Sequence, residues 1–141
     1  MSVRAGKKTL LTVREKVILH ILNYHRFIND ADAPASVTQE GIADAVEVGR
    51  NNVSKMVNAL AKEGLVEVDT KHVKGFPTVK KVYFLTPMGF QAALELKEEI
   101  ESVPISVTDF DGQVHKDIVG KLGVYLPRRY TFLEMAMGVE H

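Results

Sequence analysis

Asn51, Lys55, Asn58 and Lys62 recur every three or four residues, and at about 100° per residue they share one side of a helix, flanked by Asn52 and Ser54. The stripe is polar, built of long donors and amides, and its chemistry is hydrogen-bonded recognition. A second group, Lys71, His72, Lys74, Lys80 and Lys81, gathers a few residues further on. Residues 36 to 86 contain both groups and read as two helices at a tight turn followed by a β-wing, a device for placing one helix against a nucleic-acid groove.

The elements that must position these groups follow from periodicity and caps. Thr12-Val13-Arg14-Glu15 has the capping-box spacing, and Val17, Ile18, Ile21 and Leu22 recur on one helical side, so a first helix is expected from Thr12 to near Phe27, before Asn29 to Pro34 break the pattern. A second helix is expected from Thr38 as N-cap to about Val46, with Ile42, Ala45 and Val46 inward and Gly41 as a local weakness. The third, Arg50 to Glu63, has the clearest pattern. Val53, Met56, Val57 and Leu60 fall at i, i+3, i+4 and i+7, opposite the polar stripe, and Gly64 stands where a left-handed residue would stop the helix. Leu65 to Val68 and Val79 to Leu85 then read as paired strands around a tip, Lys71 to Thr78, that carries Gly75 and Pro77. Thr86 and Pro87 suit the cap and first position of a fourth helix reaching about Ile100. Beyond it, Ile105 to Thr108 suggests a strand, Asp111-Gly112 a turn, and Val114 onward a return strand or helix.

The totals bound what these elements can belong to. At 141 residues the chain can bury one main core and a small second unit. It has no cysteine, which excludes disulfides and thiolate chemistry, and no apolar run suited to a signal peptide or a membrane span, so a cytoplasmic location is expected. Eighteen basic and eighteen acidic side chains give zero net charge, but the distribution is uneven: +3 over residues 1 to 35, +1 over 36 to 86 and −4 over 87 to 141. Residues 49 to 81 hold a local +4, which falls on the third helix and the wing.

Residues 10 to 100 resemble a winged helix-turn-helix transcription regulator of the MarR type and archaeal winged-helix modules. The resemblance is carried by the turn Val46-Glu47-Val48-Gly49, the helix start Arg50-Asn51-Asn52-Val53-Ser54-Lys55, the exit Glu63-Gly64-Leu65-Val66 and the run Lys81 to Gly89. Two positions depart from it: Glu47 stands where such turns commonly use glycine, and Gly49 where a serine or threonine cap is usual. The implied fold class is α+β and mainly helical, a three-helix core with a two-stranded wing and a following helix, plus a small C-terminal strand or helix appendage. The expected boundaries are a basic N-terminal arm over 1–11 with Arg4, Lys7 and Lys8, a winged-helix domain over 12–102, and an appendage over 103–141 that serves assembly or links to a further domain.

The resemblance implies base-edge roles for Asn51, Asn52, Lys55 and Asn58 in the major groove of double-stranded DNA, and backbone roles for Arg50 and Ser54. It gives Lys71, His72, Lys74, Lys80 and Lys81 to a wing lying along the backbone or in the minor groove. An amide pairs bidentately with adenine and lysine donates to guanine, each good pair giving about 1–3 kcal/mol of discrimination. Two plainer readings stand beside this one. The polar helix face could serve a protein-binding adaptor in a larger complex, and strand lysines also guard a sheet edge against aggregation. A homodimer is expected from the helix over 87–101 and from Tyr130, Phe132, Leu133, Met135, Met137 and Val139, which are too apolar to lie free in water.

No enzyme, cofactor or metal is expected. His20 and His25 lie five apart on different helical faces, and His72 and His115 lack a ligand spacing. Ile105 to Gly112 ends in Asp109-Phe110-Asp111-Gly112 and is similar to the nucleophile motif of haloacid-dehalogenase phosphatases, but only 29 residues follow Gly112, too few for that sheet, so a turn is expected instead.

Overall fold

A computed structural model describes residues 2–5, 11–102, 104–108 and 111–118. Lys7, Lys8, Asp109, Tyr130, Phe132, Leu133, Met135, Met137 and Val139 lie outside the described residues. The chain divides into two compact units, one over Val13–Leu94 and one formed from Met1–Thr12 with Glu95–His141.

In the first unit the apolar stripe beginning at Val17 folds as helix α1, Val13–Asn23, with Val17, Ile18, Leu19 and Ile21 buried. The helix is shorter than its apolar pattern: Tyr24 leaves it, and His25–Phe27 continues as a 3-10 turn. Two features then appear that local pattern does not announce, a two-residue strand, Asp32–Ala33, and a second 3-10 turn over Ala35–Val37. Helix α2, Gln39–Val46, begins where expected, because the Thr38 hydroxyl accepts the Gly41 N–H at 3.1 Å while donating to the Ala35 carbonyl at 2.7 Å. Gly41 is a packing requirement here: a Cβ would stand 2.1 Å from the Ala35 carbonyl oxygen, so only glycine lets the 3-10 turn lie against the helix. The inward residues of α2 are Ile42, Ala43 and Val46, whereas Ala45, expected inside, is half-buried.

Helix α3, Arg50–Lys62, buries Val53, Val57 and Leu60, each worth about 1.5–3 kcal/mol relative to exposure, and leaves Met56 half-buried at the edge of the stripe. Gly64, at φ 78°, ends it in the left-handed conformation expected, and the Leu65 N–H closes back on the Leu60 carbonyl at 3.0 Å. An ion pair between Arg14 and Glu63 ties the start of α1 to the end of α3 and holds the Glu63 carboxyl below its usual range.

The wing strands, Val66–Val73 and Val79–Leu85, pair antiparallel from Val66↔Leu85 to His72↔Val79. The tip is therefore shorter than the expected 71 to 78, since Lys71, His72 and Val73 belong to the strand. Asp32–Ala33 adds in parallel to the first wing strand, making a three-stranded sheet with Asp32 opposite His72 and Ala33 opposite Val73. Ala33, Val37, Val73, Val82 and Phe84 form a buried cluster, with Tyr24, Phe27 and Ile28 against it. Helix α4, Pro87–Glu101, starts on Thr86, whose hydroxyl accepts the Gly89 N–H at 3.0 Å and donates to the Gly64 carbonyl at 2.6 Å. Gly89 sits so close to the Leu65 carbonyl that a Cβ would come within 1.8 Å of its oxygen.

Two helices at a tight turn, a third helix bracing them and a following β-hairpin make this unit a winged helix-turn-helix, α+β and mainly helical. The second unit holds a separate antiparallel sheet of Ser2–Ala5, Pro104–Thr108 and Val114–Ile118, with the middle strand paired to both others. Ser2–Ala5, expected as part of a basic arm, is thus a paired strand. Asp111 and Gly112 lie in the connection between two antiparallel strands, with Gly112 at φ 82°, as the expected turn requires. No helix of the described residues is long and apolar enough to cross a membrane.

Candidate nucleic-acid interface

Helix α3 is offered to solvent by the turn before it. Glu47 takes the left-handed conformation, φ 57° and ψ 43°, the one non-glycine residue with positive φ among those described, and its N–H caps α2 on the Ala43 carbonyl. A side chain in that conformation costs about 1–2 kcal/mol, which explains why glycine is common at such a turn. Gly49 caps α3 through its backbone alone, its carbonyl accepting from Asn52 at 3.0 Å and Val53 at 3.1 Å.

Asn51, Asn52, Lys55 and Asn58 are all exposed on α3, and their side chains make no hydrogen bond or ion pair with any described residue. Ser54 is half-buried beside them. Arg50 differs. Its guanidinium pairs with Glu40 Oε1 at 2.7 Å, and its carbonyl accepts from the Gln39 side chain at 2.9 Å, so the first turn of α2 holds the first turn of α3. The Glu40 carboxyl is held below its usual range, chiefly by its own backbone N–H, with Lys80, Arg50 and the Thr38 hydroxyl adding to the effect. The buried Tyr83 phenol is pushed up by desolvation and then by the Glu40 charge.

The wing cations are distributed unevenly. Lys71 turns back across the sheet: its ammonium donates to the Ile28 carbonyl at 2.7 Å and the Asp30 carbonyl at 3.0 Å and lies 5.3 Å from the Phe84 ring centre. His72 Nδ1 is 3.2 Å from Asp32 Oδ1, and Lys80 lies 4.2 Å from the Phe76 ring centre. Lys74 is exposed with its ammonium 6.0 Å from the Phe27 ring centre, and Lys81 is exposed without an ion-pair partner among the described residues. The sequence reading missed the Gln39 and Glu40 contacts to Arg50. Both partners lie in the first turn of α2, and the signal was the pairing of opposite charges across a tight helix-turn-helix.

His20 and His25 pack into the fold: His20 Nε2 bonds the Ser36 carbonyl at 2.7 Å, and the His25 ring stacks on Phe90 at 4.4 Å. Among the described residues no group of three or more His, Cys, Asp or Glu could hold a metal ion.

The order of elements and the exposed third helix define the class of this unit, a winged helix with a polar face on α3. No family model and no curated protein matches the chain. Among solved structures it is similar to a crystal structure of the zinc-dependent MarR family transcriptional regulator AdcR in the Zn(II)-bound state, at 22% identity and a TM-score of 0.41. The similarity covers 67% of this chain and 56% of that one, so the chain spans little more than half the length of that regulator.

Proposed function

We propose that this chain is a sequence-specific double-stranded DNA-binding protein, a MarR-like transcription regulator that places α3 in the major groove and the wing on the backbone or minor groove. The observation that carries the reading is the contrast across α3. Val53, Val57 and Leu60 anchor one side in the core, while Asn51, Asn52, Lys55 and Asn58 stand exposed and unengaged on the other. Asparagine is a poor helix former, so three of them on one exposed helical surface favour a recognition role over mere solvation. Backbone contact falls first to Ser54, Lys74 and Lys81, with Lys80 joining only by leaving the Phe76 ring. Arg50, Lys71 and His72 enter only by giving up the partners they hold. The chain acts by binding rather than catalysis, as a homodimer whose two α3 helices sit about 34 Å apart, one turn of DNA. Exposed Met88 and Leu94 on α4 supply apolar surface for that contact. Equilibrium sedimentation yielding only monomer at working concentration would remove the dimer.

The test is selection from random duplexes at low and moderate salt, repeated with Lys55→Ala plus Asn58→Ala. An enriched site that the double variant no longer binds supports the reading. A pool with no enriched site and a flat salt dependence would overturn it in favour of a protein-binding adaptor, which exposed Val68 and Val79 on the wing also suit.

A further inference from the structure

A cleft of about 510 Å³ opens on the side of the winged helix, between the C-terminal part of α1, the outer face of α2 and the wing tip. Its size lies within the range of small-molecule sites. His20 and Tyr24, with ring centres 5.1 Å apart, form one aromatic wall, and Phe76, 39% exposed although large and apolar, stands at the wing side. Glu40 and Asp44, one helical turn apart on α2 and about 6 Å along its axis, bring two carboxylates to the same cleft. Lys80 is the one lysine or arginine of the lining, and its ammonium is already seated over Phe76. Asp44 has no hydrogen-bond or ion-pair partner among the described residues. The cleft therefore offers aromatic walls, a net negative lining and an unanswered carboxylate.

We infer that this cleft binds a small aromatic monocation, an aryl-alkyl amine whose ring lies between Tyr24 and Phe76 and whose ammonium pairs with Asp44. Lys80 over Phe76 is an intramolecular precedent, a cation held on an aromatic face beside Glu40. An anion of the same shape would gain Lys80 but would meet both carboxylates. Occupancy also reaches α3, because Glu40 lines the cleft and holds Arg50 at 2.7 Å. A second cation near Glu40 competes with that guanidinium, so binding and the Arg50 pair are antagonistic. None of this depends on whether α3 contacts DNA.

Tryptamine is a suitable probe, since the chain contains no tryptophan and the indole fluorescence anisotropy reports the ligand alone. The expected Kd is on the order of 0.3 mM, reasonable for a dozen heavy atoms. Asp44→Asn should weaken binding about tenfold and Phe76→Ala about fivefold, both at exposed positions where thermal melts check that the fold is kept. Arg50→Gln should tighten it about twofold to threefold by releasing Glu40. Indole-3-acetate, the anion of the same body, should bind at least tenfold more weakly than tryptamine. No anisotropy change up to about 5 mM tryptamine, equal affinity in Asp44→Asn, or preference for indole-3-acetate would each overturn the proposal.

Discussion

Helix α3 and the wing carry comparable sets of polar and basic side chains, yet they stand in opposite conditions. On α3, Asn51, Asn52, Lys55 and Asn58 are exposed and unengaged. On the wing, Lys71 is spent on two backbone carbonyls, His72 faces Asp32 and Lys80 lies on Phe76, which leaves Lys74 and Lys81 as the exposed lysines. A basic residue in the sequence is a charge, but only its tertiary partners decide whether the charge is available. The local +4 over residues 49 to 81 therefore overstates how many cations are free to make direct contact with a polyanion.

Substitutions that treat the two regions alike should separate them. The largest effect belongs to α3: Lys55→Ala with Asn58→Ala should lower affinity for a selected duplex about 100-fold, read by fluorescence polarisation, with little change in melting temperature. Lys71→Ala should do the reverse. It leaves the Ile28 and Asp30 carbonyls without the ammonium and should cost about 1–2 kcal/mol in urea unfolding, while DNA affinity changes less than twofold. A large affinity loss from Lys71→Ala with stability intact would put the wing on the DNA side of the comparison. Glu47→Gly should stabilise by about 1 kcal/mol through relief of the left-handed backbone, and should also raise DNA affinity slightly by removing an acid next to α3.

The smallest effect is on pH dependence, and it tests the packing of α1 against the 3-10 turn that leads into α2. Burial lowers the His20 imidazole below its free value of 6.5 and outweighs the Ser36 carbonyl, which acts in the opposite direction. The folded state takes up this proton at lower pH than the unfolded chain does. Stability is therefore complete above 6.5, falls as the pH drops below 6.5, and is fully reduced below the folded value. Urea midpoints across that window should slope in the native chain and flatten in His20→Gln. An unchanged slope in the variant would assign it to other groups.

How much of this was legible in the sequence varies by element. The α3 face was readable because Val53, Val57 and Leu60 recur at a helical period, and the same period fixes which side chains must point away. Thr38 and Thr86 were readable as caps because the donors they satisfy are three residues away. Glu47 was visible as a departure from glycine, and the backbone there proved left-handed. Asp32–Ala33 was not readable. Two residues carry no periodicity, and the strand exists because Val73 and His72 pair with it from forty residues away. Ser2–Ala5 is similar, a strand defined by a partner at Pro104–Thr108. Gly41 looked like a weakness in α2, because its close approach to the Ala35 carbonyl is a fact of packing.

The sequence by itself determined the helices, the turn, the wing and the polar stripe on α3, because periodicity, caps and glycine positions act over a few residues and are written where they act. Only the tertiary structure decided which charges remain free, that Arg50 answers Glu40, that Lys71 faces inward, and that α1, α2 and the wing tip enclose a cleft with Asp44 unpaired. The physical reason is that local propensity is set by near neighbours, whereas the partner of a charge and the walls of a cavity come from segments that only folding brings together.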